Sequence, residues 1–138
     1  MALRILILDD EPIVGKRLAP AIAKMGCETE FFTDPRRALE RIEECAFDII
    51  VTDIRMEDVD GIRVLEKVLS RSPTTKVIMI TGYATMEVAR EALAKGAFDF
   101  LAKPFKPAQL REMIARAASE LGATLELPDP GEETVTDV

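Results

Sequence analysis

The hydrophobic positions fall into five short runs, separated by stretches in which apolar residues recur every three or four positions. The runs are rich in β-branched residues, which is typical of strands buried on both faces. The intervening stretches have the spacing of amphipathic helices. This alternation predicts an α/β fold built on a doubly wound parallel sheet. The runs cover residues 3–8, 28–32, 48–52, 76–80 and 98–101.

Each helical stretch places its apolar residues on one side, and we expect these sides to form the core. Helix starts are marked by Pro12, Asp34-Pro35 and Pro107, since proline suits the first turn and aspartate caps it. The third helix is expected over 61–70 and the fourth over 85–95. The inward-facing residues of the fourth helix are Met86, Ala89, Ala92 and Leu93.

The composition fits a single globular domain. The chain has 138 residues, of which 48% are apolar and 31% are charged, so it can bury a sizeable core. Its longest apolar runs are far shorter than the ~20 residues that cross a bilayer. Its start also lacks the long apolar region of a signal peptide. We therefore expect a cytoplasmic protein that does not contact membranes.

The net charge of -7 is distributed unevenly along the chain. Residues 122–138 contain five acids, two prolines and no base, and they show no apolar periodicity. Such a composition is typical of disordered segments. We therefore predict a domain over 1–121 and an acidic tail over 122–138, which is either a free end or the start of a truncated linker.

Histidine is absent from the chain. Its absence excludes Ser-His hydrolases, zinc sites built from histidine, and a protein phosphorylated on its own histidine. Cys27 and Cys45 lack the spacing of a metal site and are expected to be buried, reduced thiols. No segment is basic and aromatic enough to predict direct binding of nucleic acid.

Polar residues follow four of the five predicted strands. In doubly wound sheets, ligands bind outside the carboxyl ends of the strands. We therefore expect the carboxylates, a hydroxyl and an ammonium from these strand ends to meet at one edge of the sheet. The groups are Asp9-Asp10-Glu11, Asp53, Thr81-Gly82 and Lys103-Pro104.

The chemistry of this edge points to a metal ion and a phosphoryl group. Converging carboxylates repel one another unless a cation holds them together. Oxygen ligands without histidine or thiolate select a hard ion, for which Mg²⁺ is the natural choice in the cytosol. With the Lys103 ammonium, the Thr81 hydroxyl and the open backbone of Gly82, such a pocket is suited to surround a phosphoryl group that a carboxylate attacks.

Over residues 2–121 the chain resembles the receiver domains of bacterial two-component response regulators. The resemblance is carried by the ordered signature of Asp9-Asp10, Asp53, Thr81 and Lys103-Pro104. It implies a flavodoxin-like (βα)5 sandwich with a five-stranded parallel sheet in the order 2-1-3-4-5.

The resemblance also assigns the acceptor and the metal ligands. By this resemblance, Asp53 is the phosphoacceptor. Mg²⁺ is implied to bind Asp10 directly, Asp9 largely through water, the Asp53 carboxylate and the backbone carbonyl of Arg55. The expected product is a hydrolysable acyl phosphate, so the domain catalyses its own phosphorylation and slow dephosphorylation and is not otherwise an enzyme.

Further residues are implied to bind and report the phosphoryl group. Its oxygens contact Thr81, Lys103 and the backbone of Arg55 and Gly82. Phe100 stands where the family has its aromatic switch residue, and the Lys103-Pro104 peptide bond is expected to be cis.

The resemblance implies protein partners. Since the chain has no histidine, the phosphoryl donor is expected to be a sensor histidine kinase or a phosphotransfer protein. The output surface is placed on the fourth helix, the fifth strand and the fifth helix, through which a homodimer is plausible.

One residue departs from the family pattern. Glu57 stands where the family often has proline, whereas Asp60-Gly61 is kept.

Three alternative functions are open. The first is a degenerate receiver that binds a partner without phosphorylation, although all key groups are present. The second is a phosphohydrolase with an aspartyl-phosphate intermediate. That class typically has a second acid two residues after its nucleophile, but position 55 is Arg55. The third is a flavin carrier of similar topology, which would need a hydroxyl-rich phosphate-binding loop after the first strand, where this chain has acids.

Overall fold

The computed structural model describes residues 2–56, 60–82 and 86–125. Within these ranges five strands alternate with five helices, as the hydrophobic pattern predicts. Each end of a predicted strand differs from the structure by at most one residue. The strands are β1 (Arg4–Leu8), β2 (Glu28–Phe32), β3 (Ile49–Asp53), β4 (Lys76–Thr81) and β5 (Asp99–Ala102). The helices are α1 (Pro12–Ala23), α2 (Pro35–Glu44), α3 (Gly61–Arg71), α4 (Met86–Ala94) and α5 (Pro107–Glu120).

All five strands are parallel and lie in the order β2-β1-β3-β4-β5. The central strand β3 pairs with β1 on one side, where Val51 is opposite Ile7. On its other side β3 pairs with β4, where Asp53 is opposite Ile80. The direction of winding reverses between β1 and β3, which marks the usual ligand position in such sheets. The predicted flavodoxin-like sheet is therefore confirmed.

Helices cover both faces of the sheet, so the inner strands are buried on both sides. Along β3, Ile49 and Val51 belong to the core that contains α1 and α5. Ile50 points to the other face and belongs to the core that contains α2, α3 and α4. Successive side chains of a strand alternate between faces. Two covered faces therefore explain why this segment is continuously apolar.

Several sequence expectations are wrong at single residues: Leu3 and Phe98 lie just outside β1 and β5. Asp48 is expected inside the third strand, but β3 begins one residue later, and the Asp48 carboxylate accepts a hydrogen bond of 2.8 Å from the backbone N–H of Arg4. Leu93, expected in the core, is 37% exposed, because it is rotated by about 100° from the buried Ala92. Cys45 is partly exposed rather than buried, although it is a free thiol.

The chain continues past α5 against the core. Gly122 adopts a φ of +83°, which reverses the chain direction. Ala123 and Leu125 then pack against the core that includes α1 and α5. The predicted start of the fourth helix at Thr85 and the acidic residues of 126–138 lie outside the described residues. Among the helices that are described, none is long and apolar enough to cross a membrane.

Candidate functional site

Four strands end at the same edge of the sheet, because they are parallel neighbours. Asp53 is the last residue of β3, and Thr81 is the last residue of β4. Asp9 follows β1 directly, and Lys103 follows β5 directly. The structure thus places at this edge the polar residues that the sequence expects there.

Asp53 is held in place by backbone on both of its sides. The residue is 8% exposed. The pairing of β3 with β4 extends beyond it, since the backbone N–H of Ile54 donates to the carbonyl of Ile80 at 3.0 Å. The Oδ1 atom of Asp53 accepts a hydrogen bond from the backbone N–H of Arg55 at 3.2 Å. The carboxylate therefore stands on a rigid base with a fixed direction.

Asp9 and Asp10 are adjacent but lie in different environments. Asp9 is fully buried, and its Oδ1 accepts a hydrogen bond from the backbone N–H of Glu11 at 2.9 Å. Its own backbone N–H donates to the carbonyl of Phe32 at 3.1 Å. Asp10 is exposed. One acid is thus enclosed by protein, while the other is accessible to solvent.

Lys103 links the two buried carboxylates. Its Nζ donates to Asp9 Oδ2 at 2.8 Å and to Asp53 Oδ2 at 3.2 Å. The backbone N–H of Lys103 donates to the carbonyl of Thr81 at 2.7 Å, which anchors the lysine to the end of β4. The peptide bond between Lys103 and Pro104 is cis. The ammonium, which follows β5, therefore connects the residues at the ends of β1 and β3.

Burial and ion pairing act together on the two partners of this contact. Burial raises the pKa of the Asp53 carboxyl; Lys103 opposes this rise and Asp9 adds to it. Burial alone would lower the pKa of the Lys103 ammonium, but the hydrogen bonds and charges of Asp9 and Asp53 hold that pKa above its usual value. Lys103 therefore stays charged, whereas its charge does not fully offset the effect of burial on the pKa of Asp53.

The acidic cluster fits a divalent cation. One oxygen from each of Asp9, Asp10 and Asp53 lies within 4.8 Å of the other two. When all three are ionised, they and the Lys103 ammonium leave two negative charges uncompensated. A donor set of carboxylate oxygens, without nitrogen or sulfur, suits Mg²⁺. The residues present therefore fit Mg²⁺ in both charge and donor type.

Thr81 and Gly82 follow one another at the end of β4, where the Thr81 carbonyl accepts the hydrogen bond from the backbone N–H of Lys103. Thr81 is fully buried, and Gly82 is partly buried. Among the described residues other than Gly82 and its chain neighbours, no atom lies within 4 Å of the position that a Cβ on Gly82 would occupy. A hydroxyl and a backbone N–H at the end of one strand, and an ammonium just after the neighbouring strand, are groups that suit an anion such as a phosphoryl group.

Comparison with known proteins decides the family. The sequence pattern of the response regulator receiver domain matches residues 5–115. This chain belongs to the response regulator receiver domains. The receiver domain is 42% identical over 114 residues to the regulatory protein AtoC of Escherichia coli K12, which covers 83% of this chain and 25% of AtoC. It is 31% identical over 119 residues to the chemotaxis protein CheY of Thermotoga maritima, which covers 86% of this chain and 99% of CheY.

Solved structures of receiver domains share the fold. The beryllofluoride-activated NtrC4 receiver domain dimer is 33% identical to this receiver domain, with a TM-score of 0.79. The match covers 85% of this chain and 97% of that one. By contrast, the receiver domain spans about a quarter of the length of AtoC and of several further regulatory relatives.

The sequence does not indicate that the Lys103 ammonium contacts the neighbouring carboxylates. The signature assigns this lysine to phosphoryl oxygens, yet its ammonium is bound to Asp9 and Asp53. Glu11 lies 3.8 Å from the same nitrogen; the sequence places that acid at this edge but assigns it no ligand role. Only the three-dimensional register of strand ends sets these distances, so no local pattern signals them.

Two further predicted residues lie at the margins of the site. Phe100 on β5 is partly buried and packs against the core shared by α2, α3 and α4. The side chain of Arg55 is exposed, while its backbone N–H is bound to Asp53. Tyr83 and Glu57 lie outside the described residues.

Proposed function

We propose that this receiver domain accepts a phosphoryl group on Asp53 and, as a result, changes the surface formed by α4, β5 and α5. The contact between Lys103 Nζ and Asp53 Oδ2, at 3.2 Å, carries the proposal. It places a nucleophile and a phosphoryl-binding cation at one rigid point of the sheet. Membership of the receiver family supports the same reaction.

The proposed reaction is an in-line displacement at phosphorus. A carboxylate oxygen of Asp53 forms a bond to phosphorus, while the bond from phosphorus to the donor nitrogen breaks. The electron pair of the broken bond stays with the donor imidazole. Since this chain contains no histidine, the donor is a separate protein, either a sensor histidine kinase or a phosphotransfer protein.

Four groups of the chain bind the oxygens of the transferred group. They are the Lys103 ammonium, the Thr81 hydroxyl and the backbone N–H groups of Arg55 and Gly82. For this purpose Lys103 turns from the carboxylates towards the phosphoryl oxygens. Its charge persists at neutral pH, because the neighbouring acids hold its pKa above the usual value.

Asp9, Asp10, Asp53 and the backbone carbonyl of Arg55 are the proposed Mg²⁺ ligands. When bound, the ion supplies positive charge that offsets the repulsion between an anionic carboxylate and an anionic phosphoryl group. Both oxygens of Asp9 already accept hydrogen bonds, which supports an indirect role through water. Exposed Asp10 is open to direct coordination.

The proposed product is an acyl phosphate, which hydrolyses without a further enzyme. Its loss ends the signal, so the lifetime is a property of the receiver domain itself. In this sense the domain is a phosphoacceptor that catalyses its own phosphorylation and slow dephosphorylation, and it turns over no separate substrate.

The proposed output is a change in the α4–β5–α5 surface. Thr81 moves towards the phosphoryl group, and the vacated space admits the ring of Phe100. Phe100 has no hydroxyl, so its inward position is stabilised by burial alone, by ~1 kcal/mol. A homodimer through this surface is the proposed consequence, and the NtrC4 receiver domain is a dimer in its beryllofluoride-activated form.

Light scattering and NMR test this output. Beryllofluoride mimics the phosphoryl group on an aspartate. Its addition with Mg²⁺ should raise the molecular mass and shift the amide signals of α4 and β5. An unchanged mass together with unchanged signals of these two elements would refute the switch.

The setting of the domain is also part of the proposal. We propose a cytoplasmic protein without direct contacts to nucleic acid or membranes, in which the receiver domain covers 1–121. Because AtoC is four times longer than the matched region, the acidic segment 122–138 is proposed either to end the chain or to lead towards an output domain.

Phosphorus NMR of the chain with acetyl phosphate tests the proposed function. We expect an acyl-phosphate signal that requires Mg²⁺ and is lost in Asp53→Asn. A degenerate receiver would show no such signal in the parent chain, although it would retain the fold.

A further inference from the structure

Helix α3 begins directly against the end of β3. Gly61 is the first residue of α3 and is buried. Its backbone N–H donates to the carbonyl of Ile54 at 2.6 Å. The preceding residue, Asp60, caps the helix by accepting a hydrogen bond from the backbone N–H of Ile62 at 2.7 Å. The first turn of α3 is thus fixed to the peptide that follows Asp53.

No side chain fits at Gly61 in this arrangement. A Cβ there would overlap the carbonyl oxygen of Asp53 and lie 2.8 Å from Ile54 Cα. It would also lie 3.1 Å from the carbonyl carbon of Asp53. All three atoms belong to the backbone, so they cannot yield by a rotamer change.

The backbone conformation does not by itself require glycine at this position. The glycines of positive φ in the described residues are Gly26, Gly96 and Gly122, and Gly61 is not among them. Within a helix, alanine is more favourable than glycine. Without the close approach, Gly61→Ala would therefore be expected to stabilise the protein.

The peptide against Gly61 also carries the proposed acceptor. On one side of it, Asp53 points its carboxylate to Lys103 Nζ at 3.2 Å. On the other side, the N–H of Ile54 is fixed to Ile80 at 3.0 Å. A displaced carbonyl therefore has to rotate or shift Asp53 Cα, and its carboxylate with it.

We propose that Gly61 is a positioning residue for phosphoryl transfer: its bare Cα allows α3 to seat on the Asp53–Ile54 peptide and so sets the position of the Asp53 carboxylate. The proposal rests on the proposed function of Asp53. It assigns no contact between Gly61 and the phosphoryl group, since the effect acts through backbone.

The test compares Gly61→Ala with Val68→Ala in the same chain. Val68 lies on α3, is 1% exposed and has no described contact with Asp53, so its truncation lowers stability without adding an atom beside the acceptor. Melting temperature, Mg²⁺ affinity by calorimetry and the NMR shift of the Arg55 amide are measured for each. The rate of phosphorylation is measured at saturating acetyl phosphate and Mg²⁺.

Gly61→Ala should lower the saturated rate by about tenfold or more, because small misplacements of reacting atoms carry large penalties. It should also move the Arg55 amide signal, since that N–H is bound to Asp53 Oδ1. Val68→Ala should leave the rate within about twofold of the parent rate and the Arg55 amide unmoved. A Gly61→Ala variant with the parent rate and the parent amide shift would overturn the proposal, as would equal rate losses in both variants.

Two further cases are covered: a Gly61→Ala variant that does not fold, and a parent chain that is not phosphorylated. If Gly61→Ala does not fold, the double variant Thr52→Ala/Gly61→Ala is used, because the Thr52 hydroxyl contacts the same Asp53 carbonyl at 3.1 Å and its removal gives that oxygen room. A folded double variant with the parent rate and amide shift contradicts the proposal. If neither variant folds while Val68→Ala does, the result supports the close approach on which the proposal depends, because the contact with Ile54 Cα at 2.8 Å remains in both. If the parent chain takes up no phosphoryl group, the proposed function fails, while the Arg55 shift and Mg²⁺ affinity still report whether Gly61 positions Asp53.

Discussion

Lys103 and Asp53 are 50 positions apart in the chain, yet Lys103 Nζ lies 3.2 Å from Asp53 Oδ2. The same nitrogen is 2.8 Å from Asp9 Oδ2. Both carboxylates are largely buried, so this ammonium compensates charge that water screens only weakly. Three strands of the sheet are therefore coupled through one side chain.

Lys103→Met removes that compensation and should destabilise the metal-free domain. Breaking a mostly buried ion pair leaves charge without a partner, and we expect the free energy of unfolding to fall by about 2–3 kcal/mol. Urea titration measures this change. Added Mg²⁺ should restore part of the stability, while phosphorylation should remain at least about 100-fold slower. Lys24→Met, at an exposed lysine, serves as the control, and equal losses in both variants would contradict this role for Lys103.

Asp10→Ala should separate metal binding from folding. Asp10 is exposed and lies in a cluster of three acids, so its removal reduces repulsion in the absence of metal. The melting temperature without Mg²⁺ should rise by about a degree or more. The parent protein should be further stabilised by Mg²⁺, and the variant should lose that response together with Mg²⁺-dependent phosphorylation. A variant that is phosphorylated at the parent rate would remove Asp10 from the metal site.

The raised pKa of Asp53 predicts a pH dependence with a definite sign. Burial makes the folded protein hold this proton more tightly than the unfolded chain does. The associated stability is fully present below the ordinary aspartate pKa of about 3.9 and is lost as pH rises through the raised value. In metal-free buffer, the stability of Asp53→Asn relative to the parent should therefore increase as pH rises above about 4. Urea titrations of both proteins across this range test it, and a constant difference would show that Asp53 is not destabilised by burial.

Arg55 and Tyr83 are predicted to lengthen the phosphorylated lifetime. They lie two positions after Asp53 and two after Thr81, and the exposed side chain of Arg55 is next to the proposed path of the attacking water. The placement of Tyr83 rests on the sequence alone. Replacing both, as Arg55→Asn and Tyr83→Ala, should speed loss of the phosphoryl label several-fold in excess Mg²⁺ and leave Mg²⁺ affinity unchanged. A double variant that decays at the parent rate would show that these side chains do not guard the site.

The strands could be predicted because their hydrophobic runs are continuous and short. The exact strand ends were less predictable, because hydrophobicity does not mark the last paired residue. Asp48 lies just before β3, where its carboxylate accepts from the backbone N–H of Arg4 while its own backbone still bonds to Arg4 and Lys76.

The composition of the site could also be predicted, whereas its internal contacts could not. Strand ends in a parallel sheet must share an edge, so Asp9, Asp53 and Lys103 were expected to be neighbours. The sequence does not reveal that Asp9 is fully buried, or that Lys103 is closer to Asp9 than to Asp53. The requirement for a bare Cα at Gly61 is likewise set by backbone packing between elements.

Chemical mapping of the phosphorylated residue tests the central claim most directly. The protein is incubated with acetyl phosphate and Mg²⁺, and the acyl phosphate is reduced with borohydride, which converts the modified aspartate to homoserine. Tandem mass spectrometry then locates the change among Asp9, Asp10 and Asp53. We predict homoserine at position 53 and none in Asp53→Asn. Homoserine at another position in the parent protein, or at none, would contradict the assignment of Asp53 as the phosphoacceptor.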